Sequence, residues 1–544
     1  MSLRIQVDGC DVDVPDDGAS LLEVLRDRLG RRTPKDGCSP QGQCGCCTVL
    51  VDGVPRVACV TPARRVSGRS ITTLEGLDEG DRIRWAEAFS AAGASQCGFC
   101  TPGIILRLAA LEGGSARAAA GPQAGGAPEG VAEGAVETAL LAHLCRCTGW
   151  RTILDAARAA MSGSGAPSPL RDPGAAARRA TLEGGTPQRV GLEVALGQGG
   201  FADDSAPADA LVAVPDGRGG WAVGETLSEA RAAAAAAGKA PGRRSGAALS
   251  HPLELPDGDW DLTLRTTWVE PGYVEADASW CGPGGEPATP LGNGGAFGGK
   301  LASVAPAAAR ELAGRWGRPV RVLLSRDDVV RMGPKRPPIA AGLHADGSGV
   351  IRVVRTEGIA PAIAAVAPRV TVDEVEIAGP PTSAALRAAG WAEAAVLMAA
   401  LGRPGSGTGS GTATVTAPGG ATATADVEVD AGGLPAAVRI VLSCGDPLDH
   451  VVLRSYAIGA AHMALGWVCS EGIAVDGSGV PQDLTIRSFG VLRARDTPPI
   501  DVVIDEAGGP AVNGSDAVFA AVSAATWLAQ GLPPEWPTRR GRFN

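Results

Sequence analysis

Ten of the thirteen cysteines in this 544-residue chain (Cys10, Cys38, Cys44, Cys46, Cys47, Cys59, Cys97, Cys100, Cys145 and Cys147) fall before residue 150, and Cys281, Cys444 and Cys469 are scattered behind them. The first residues show no basic stretch followed by an apolar core, so the thiols are expected in a reducing compartment, where clustering points to metal rather than disulfides. Eight of the ten divide into two sets of four. Cys38, Cys44, Cys47 and Cys59 are spaced C-x5-C-x2-C-x11-C, one residue from the C-x4-C-x2-C…C spacing of a plant-type [2Fe–2S] cluster. Gly37, Gly42 and Gly45 suit a backbone that wraps a cluster with its N–H groups aimed at sulfide. Cys97, Cys100, Cys145 and Cys147 are spaced C-x2-C…C-x-C. Paired thiols also make structural zinc sites, so zinc stays open as the alternative for both sets. Cys10 and Cys46 read as non-ligands.

The surrounding pattern predicts an α+β multidomain chain. Arg4 to Val14, turning at Asp8-Gly9, reads as a hairpin. Ser20 with Glu23 reads as a capping box opening a helix over 21–29, and Thr48 to Val51 reads as a strand. A hairpin, a helix and a cluster loop predict a β-grasp, ferredoxin-like [2Fe–2S] domain over 1–80. Thr101-Pro102 opens an apolar helix over 103–111, and a second helix near 136–144 delivers Cys145 and Cys147, giving a helical-bundle [2Fe–2S] domain over 81–161. Residues 162–188, rich in Gly, Ala, Pro and Arg, read as a linker.

Lys+Arg 49 against Asp+Glu 59 leaves a net charge of −10. With no long basic run, that balance argues against nucleic acid as a partner. No uninterrupted apolar stretch reaches the ~18–20 residues that span a bilayer, so no membrane partner and a cytoplasmic location are expected. Only Lys35, Lys239, Lys300 and Lys335 are lysines. The five histidines, His143, His251, His344, His450 and His462, show no metal spacing.

Four ordered motifs carry a resemblance: Asp36-Gly37-Cys38, Gly42-Gln43-Cys44-Gly45-Cys46-Cys47-Thr48-Val49, Gln96-Cys97-Gly98-Phe99-Cys100-Thr101-Pro102-Gly103 and Leu144-Cys145-Arg146-Cys147-Thr148-Gly149. Over about residues 1–160 the chain resembles the iron–sulfur module of the xanthine dehydrogenase/aldehyde oxidase family of molybdenum hydroxylases. The resemblance implies two [2Fe–2S] clusters, one on Cys97, Cys100, Cys145 and Cys147 near a molybdopterin, the other on Cys38, Cys44, Cys47 and Cys59 passing electrons to a flavin. It also implies that Gln96 touches the pterin. The chain departs from the pattern by one extra residue between Cys38 and Cys44 and by a Gly/Ala/Pro-rich insertion at about 113–130.

Residues 189–544 resemble a shortened α/β molybdopterin-binding region. Thr263 to Asp277 alternates like a strand. Gly292-Asn293-Gly294-Gly295-Ala296-Phe297-Gly298-Gly299-Lys300, before an apolar helix over 302–313, is similar to that family's glycine loop, which assigns Gly294, Gly295, Phe297, Gly298 and Gly299 to the pterin. Leu386 to Gly390 resembles a faded pterin-contacting loop, and 402–424 reads as a Gly/Ser/Thr-rich tract. Where the family has a catalytic glutamate, the chain reads Gly514-Ser515-Asp516. A serine hydroxyl is no general base near pH 7 without an activating partner, so no catalytic residue is assigned.

The expected function is therefore an iron–sulfur electron-transfer subunit of a molybdenum hydroxylase. Its molybdopterin lies on a large partner subunit, or weakly at Gly294–Gly299, and FAD lies on another partner chain. A self-contained hydroxylase of aldehydes or N-heterocycles, with Asp516 as displaced base, and a redox-sensing binding protein are the competing readings. Substrate and final electron acceptor stay unassigned.

Overall fold

The computed structural model describes residues 2–119, 134–163, 171–239, 242, 246–403, 409–506 and 508–542. Most of the insertion at 113–130 lies outside the described residues. Strands β1 (Ser2–Val7), β2 (Cys10–Pro15), β3 (Thr48–Val51), β4 (Val54–Val57) and β5 (Ser70–Thr72) form a mixed sheet ordered β2-β1-β5-β3-β4. The hairpin β1–β2 turns at Asp8-Gly9 as its sequence requires, with both residues at positive φ. Ser20 does cap the next helix by accepting from Glu23 N. The expected box is only half built, because the Glu23 carboxylate turns away to accept from Ser228 instead. That helix lasts one α-turn before widening into a π-helix over Val24–Arg28.

Helices α1 (Glu79–Ala91), α2 (Thr101–Ala119) and α3 (Arg151–Ser162) follow. The helix expected over 136–144 is shorter: Ala135–Ala139 continues as a 3-10 turn to Ala142 and ends there. Residues 143–150 are left free to form a turn that leads into α3.

The reading of 162–188 as linker is corrected in its second half, where Pro173–Gly184 forms helix α4. Asp172 caps it by accepting from Gly174 N, and Pro173 stands where a missing N–H costs nothing. The local signal was present in Asp172-Pro173 and in Arg179 and Glu183 at i,i+4, masked by the Ala/Gly-rich composition.

Behind it come β6 (Leu211–Pro215), β7 (Trp221–Gly224), helix α5 (Leu227–Ala236), β8 (Leu262–Arg265), β9 (Ala278–Cys281), helix α6 (Ala305–Trp316), β10 (Val320–Leu323), β11 (Ile339–Leu343), β12 (Gly349–Val354) and β13 (Val370–Val375). They make two sheets, ordered β7-β6-β10-β9 and β13-β12-β11-β8. Of the alternation at 263–277, only the first residues are strand.

Helix α7 (Trp391–Ala400) precedes a fourth sheet, β14 (Ser410–Thr416), β15 (Thr422–Val429), β16 (Pro435–Ser443) and β17 (Ile500–Asp505), in that order. The Gly/Ser/Thr-rich tract 402–424 thus contributes to a β-hairpin. Its alternation is strict: Ala413, Val415, Ala423, Ala425 and Val427 are buried, whereas Thr412, Thr414 and Thr416 face outward. Small residues disguised an ordinary half-buried sheet. Helices α8 (His450–Cys469) and α9 (Ser515–Ala529) pack on each other, and α9 lies against β14 and β15. Alpha8 is apolar and long enough to span a membrane, yet 89% of that stretch is buried in the protein.

The amino-terminal module is not free-standing. Its core continues into Phe201, Trp268, Ile473 and Phe489 of the remainder. Buried ion pairs fasten the two parts: Arg26 to Asp203 and Asp204, Lys35 to Asp204, and Arg146 to Glu471. The other three lysines are held in ion pairs within the remainder, Lys239 on Asp328, Lys300 on Glu275 and Lys335 on Glu270.

Candidate redox site

All thirteen cysteines are free thiols. Among the described residues, no three His, Cys, Asp or Glu side chains are disposed to hold a single metal ion. The structure instead brings thiols together in neighbouring pairs. In the second quartet, Cys97 and Cys147 lie 3.6 Å apart, and Cys100 and Cys145 lie within hydrogen-bonding reach of each other. Two thiolates per iron is the donor set of a [2Fe–2S] cluster.

Chain folding explains this arrangement. Cys97 and Cys100 sit just before α2, whose unbonded N–H groups and dipole favour the negative charge of a thiolate-bound cluster. Cys145 and Cys147 lie in the turn 143–150, between the helix that ends at Ala142 and the start of α3. Cys145 is pulled down to about 6 by the Cys100 thiol beside it, against the cost of burial.

In the first quartet, Cys38 contacts Cys44 and Cys59, and Cys59 contacts Cys47. The neighbouring thiols Cys44 and Cys59 pull Cys38 well below the usual thiol range. Backbone N–H groups of Gln41 (3.3 Å) and Gln43 (3.4 Å) point at Cys38 Sγ, and that of Cys59 (3.4 Å) at Cys47 Sγ. Four buried thiols ringed by N–H donors fit a cluster. The quartets' loops are joined by hydrogen bonds, Leu144 N to Cys44 O at 3.0 Å and Thr48 Oγ1 with His143 Nε2 at 3.2 Å. Cys10 is exposed and remote. Cys46 is buried, lies 3.8 Å from Cys44 O and also touches the Cys44 thiol.

The glycine loop borders the second quartet on one side and, through Gly294, Ala296, Phe297 and Gly298, a cavity on the other. A methyl on Gly295 would stand 3.1 Å from both Cys97 Sγ and Cys147 Sγ, so the loop is pressed onto the second quartet. Alpha8 closes in from another side, where a methyl on Gly459 would meet Cys147 O at 1.8 Å. Lys300 is buried on Glu275 at 2.6 Å. Gln96 donates to Cys147 O (3.0 Å) and Ser455 Oγ (2.9 Å), so both its amide hydrogens are used. Gln96 and Gly294–Gly299 do converge, but the residues between them belong to the chain itself.

The remaining assignments meet around a cavity of about 170 Å³ bordered by Thr186, Phe297, Arg387 and Asp516. Arg387, from the segment 386–390, lies over the Phe297 ring at 4.9 Å and reaches Asp516 Oδ1 and Ser515 Oγ, each at 3.4 Å. Ser515 is wholly buried, and its Oγ accepts from Arg387. Its N–H donates to Glu183 Oε2 at 2.8 Å, and Gly514 N donates to the same carboxylate. Burial pushes the Asp516 carboxyl up, with Arg387 opposing. Glu183, Arg179 and Gln188 escaped the sequence reading because their partners on α8, α9 and the loops before them lie far away in the chain.

Residues 73–158 match the [2Fe-2S] binding domain family. The nicotinate dehydrogenase small FeS subunit of Eubacterium barkeri is 37% identical over 142 residues, 26% of this chain and 82% of that protein. The xanthine dehydrogenase iron-sulfur-binding subunit of Escherichia coli O157:H7 is 38% identical over 139 residues, 25% of this chain and 79% of that one. In fold, the chain is similar throughout to the aldehyde oxidoreductase of Desulfovibrio gigas. There the TM-score is 0.70 at 15% identity, covering 100% of this chain and 99% of that one.

Proposed function

This chain belongs to the xanthine dehydrogenase/aldehyde oxidase family of molybdenum hydroxylases, and on that premise we propose that it is the assembly's two-cluster electron relay. The observation that carries this reading is the convergence of eight thiols, seven buried and Cys97 half-buried, into two paired quartets whose loops are hydrogen-bonded to each other. When bound, each [2Fe–2S] cluster supplies one-electron exchange. Cys97, Cys100, Cys145 and Cys147 would hold one, and Cys38, Cys44, Cys47 and Cys59 the other. The chain's own part is to fix the two at constant separation and to keep water from them. Leu144 N–H on Cys44 O ties the two ligand loops so that neither moves alone.

Molybdopterin and FAD belong to partner chains in this reading, and the assembly is cytoplasmic. The first quartet faces the flavin partner, with Pro40 and the half-exposed Val60 at its outer rim. Ser515, buried and accepting from Arg387, contributes no base, and Arg387 holds Asp516 in an ion pair. The carboxyl-terminal half serves as a scaffold around the second quartet.

Metal analysis and EPR of the purified chain test the proposal. About four irons per chain and two distinct [2Fe–2S] signals, reoxidised on adding the flavoprotein partner, are expected. Stoichiometric zinc, or reduced clusters indifferent to every flavoprotein partner, would refute it.

A further inference from the structure

Residues 179–188, the end of α4 and the loop after it, lie between the glycine loop and α8. Gln188 is wedged at the centre. A methyl on Gly294 would meet its Nε2 at 2.7 Å, its Oε1 accepts from Tyr456 Oη at 2.5 Å, and its Nε2 donates to Ala180 O at 2.9 Å. Asn293 fixes the neighbouring strand of chain: Arg189 N donates to Asn293 Oδ1 at 2.7 Å, while Asn293 Nδ2 donates to Gln96 O at 3.3 Å.

The outer end of the segment is latched more firmly. Arg179 and Glu183, both wholly buried, pair at 3.0 Å. Arg179 donates to Pro447 O, Asp446 O and Val512 O, and Glu183 accepts the first N–H groups of α9. The segment walls two separate cavities. One is bordered by Gln96, Gln188 and Tyr456, the other by Thr186, Gly294 and Arg387.

We infer that residues 179–188 are an intramolecular occupant of the cleft, a strap that fills the space between Gln96 and the glycine loop and shuts the carboxyl-terminal side of the second quartet to small molecules. A flat heteroaromatic ring entering there would need amide groups to pair with its edge. The amides that line the cleft, Gln96 and Gln188, are instead satisfied by Cys147 O, Ser455, Ala180 O and Tyr456. The strap exists because α4 replaces a linker, and its latch uses the N-terminus that α9 presents beside Ser515.

The inference rests on the reading that the second quartet holds a cluster, and the test separates the two. The full chain is made in a host that synthesises molybdopterin, then assayed for pterin and for the rate at which an iron chelator bleaches each cluster under dithionite. The wild-type chain is expected to carry iron without pterin, its second cluster bleaching no faster than its first. Gln188→Ala, which removes the wedge and leaves the latch intact, should speed bleaching of the second cluster about tenfold and leave the first unchanged, as a local opening does. Glu183→Gln, which weakens the latch, should act in the same direction. One pterin per wild-type chain, or unchanged bleaching in both variants with iron present, overturns the strap. A second quartet without iron defeats the cluster reading, and the strap's role at it falls too.

Discussion

The two cysteine quartets are built in opposite ways. The first lies within one stretch, 38–59, whose own N–H groups surround it. The second joins residues 97 and 100 to residues 145 and 147, and its remaining walls come from Gly295 and Gly459, hundreds of residues away in the chain. A local site depends on loop geometry. An assembled site depends on the tertiary contacts of the whole protein, so damage far along the chain should reach the second quartet before the first.

Four outcomes would sharpen or break that contrast. Cys44→Ser should erase one EPR signal and Cys100→Ser the other, each leaving its counterpart, whereas loss of both from either change would show the sites to be interdependent. Deleting 409–429 removes the sheet that buries one face of α9, so the carboxyl-terminal half should unfold and the second signal should fade well before the first. A deletion that left both signals and the melting temperature unchanged would make the hairpin dispensable. Gly459→Ala drives a methyl into Cys147 O, and such overpacking costs about 1–3 kcal/mol. The second cluster's reduction potential and signal should shift while the first holds still.

The smaller pH effect concerns His462, wholly buried in α8 and in contact with Leu492 O at 3.1 Å. Burial, aided by the charge of Arg146, pulls it down to about 3. An unfolded histidine takes its proton near 6.5, so the unfolded state binds more protons below that pH. Stability is thus full above about pH 6.5 and falls as pH drops toward 3, by about 1.4 kcal/mol per unit. His462→Gln should flatten that slope in denaturant titrations between pH 6 and 4, and an unaltered slope would mean the ring is already charged in the fold.

The same contrast governs what could be read from sequence. The first quartet was legible because its ligands, glycines and strand share one local pattern. The ligands of the second were legible by spacing, but its geometry was not, since the turn 143–150 is set by packing against α8 and by the Arg146–Glu471 pair. Helix α4 and the β14–β15 hairpin were missed for a different reason. Alanine, glycine and threonine can alternate or repeat at helical spacing without the bulk that makes a period visible, and only burial shows which faces are inside. The altered carboxyl-terminal site was visible at Ser515, whereas the carboxylate of Glu183 beside it was not, because 332 positions separate it from the amide it accepts from.

The ion pairs of the four lysines have a practical consequence. Lys35, Lys300 and Lys335 are at most 2% exposed, and Lys239 is held against Asp328. A folded chain with every side-chain ammonium engaged offers almost no purchase to amine-directed labels, cross-linkers or coupling resins. Mapping its contacts with other subunits by such chemistry would return silence at true interfaces. Reagents aimed at carboxylates or guanidinium groups are the ones that would see its surface, and a sudden gain of amine labelling would report that the fold had opened.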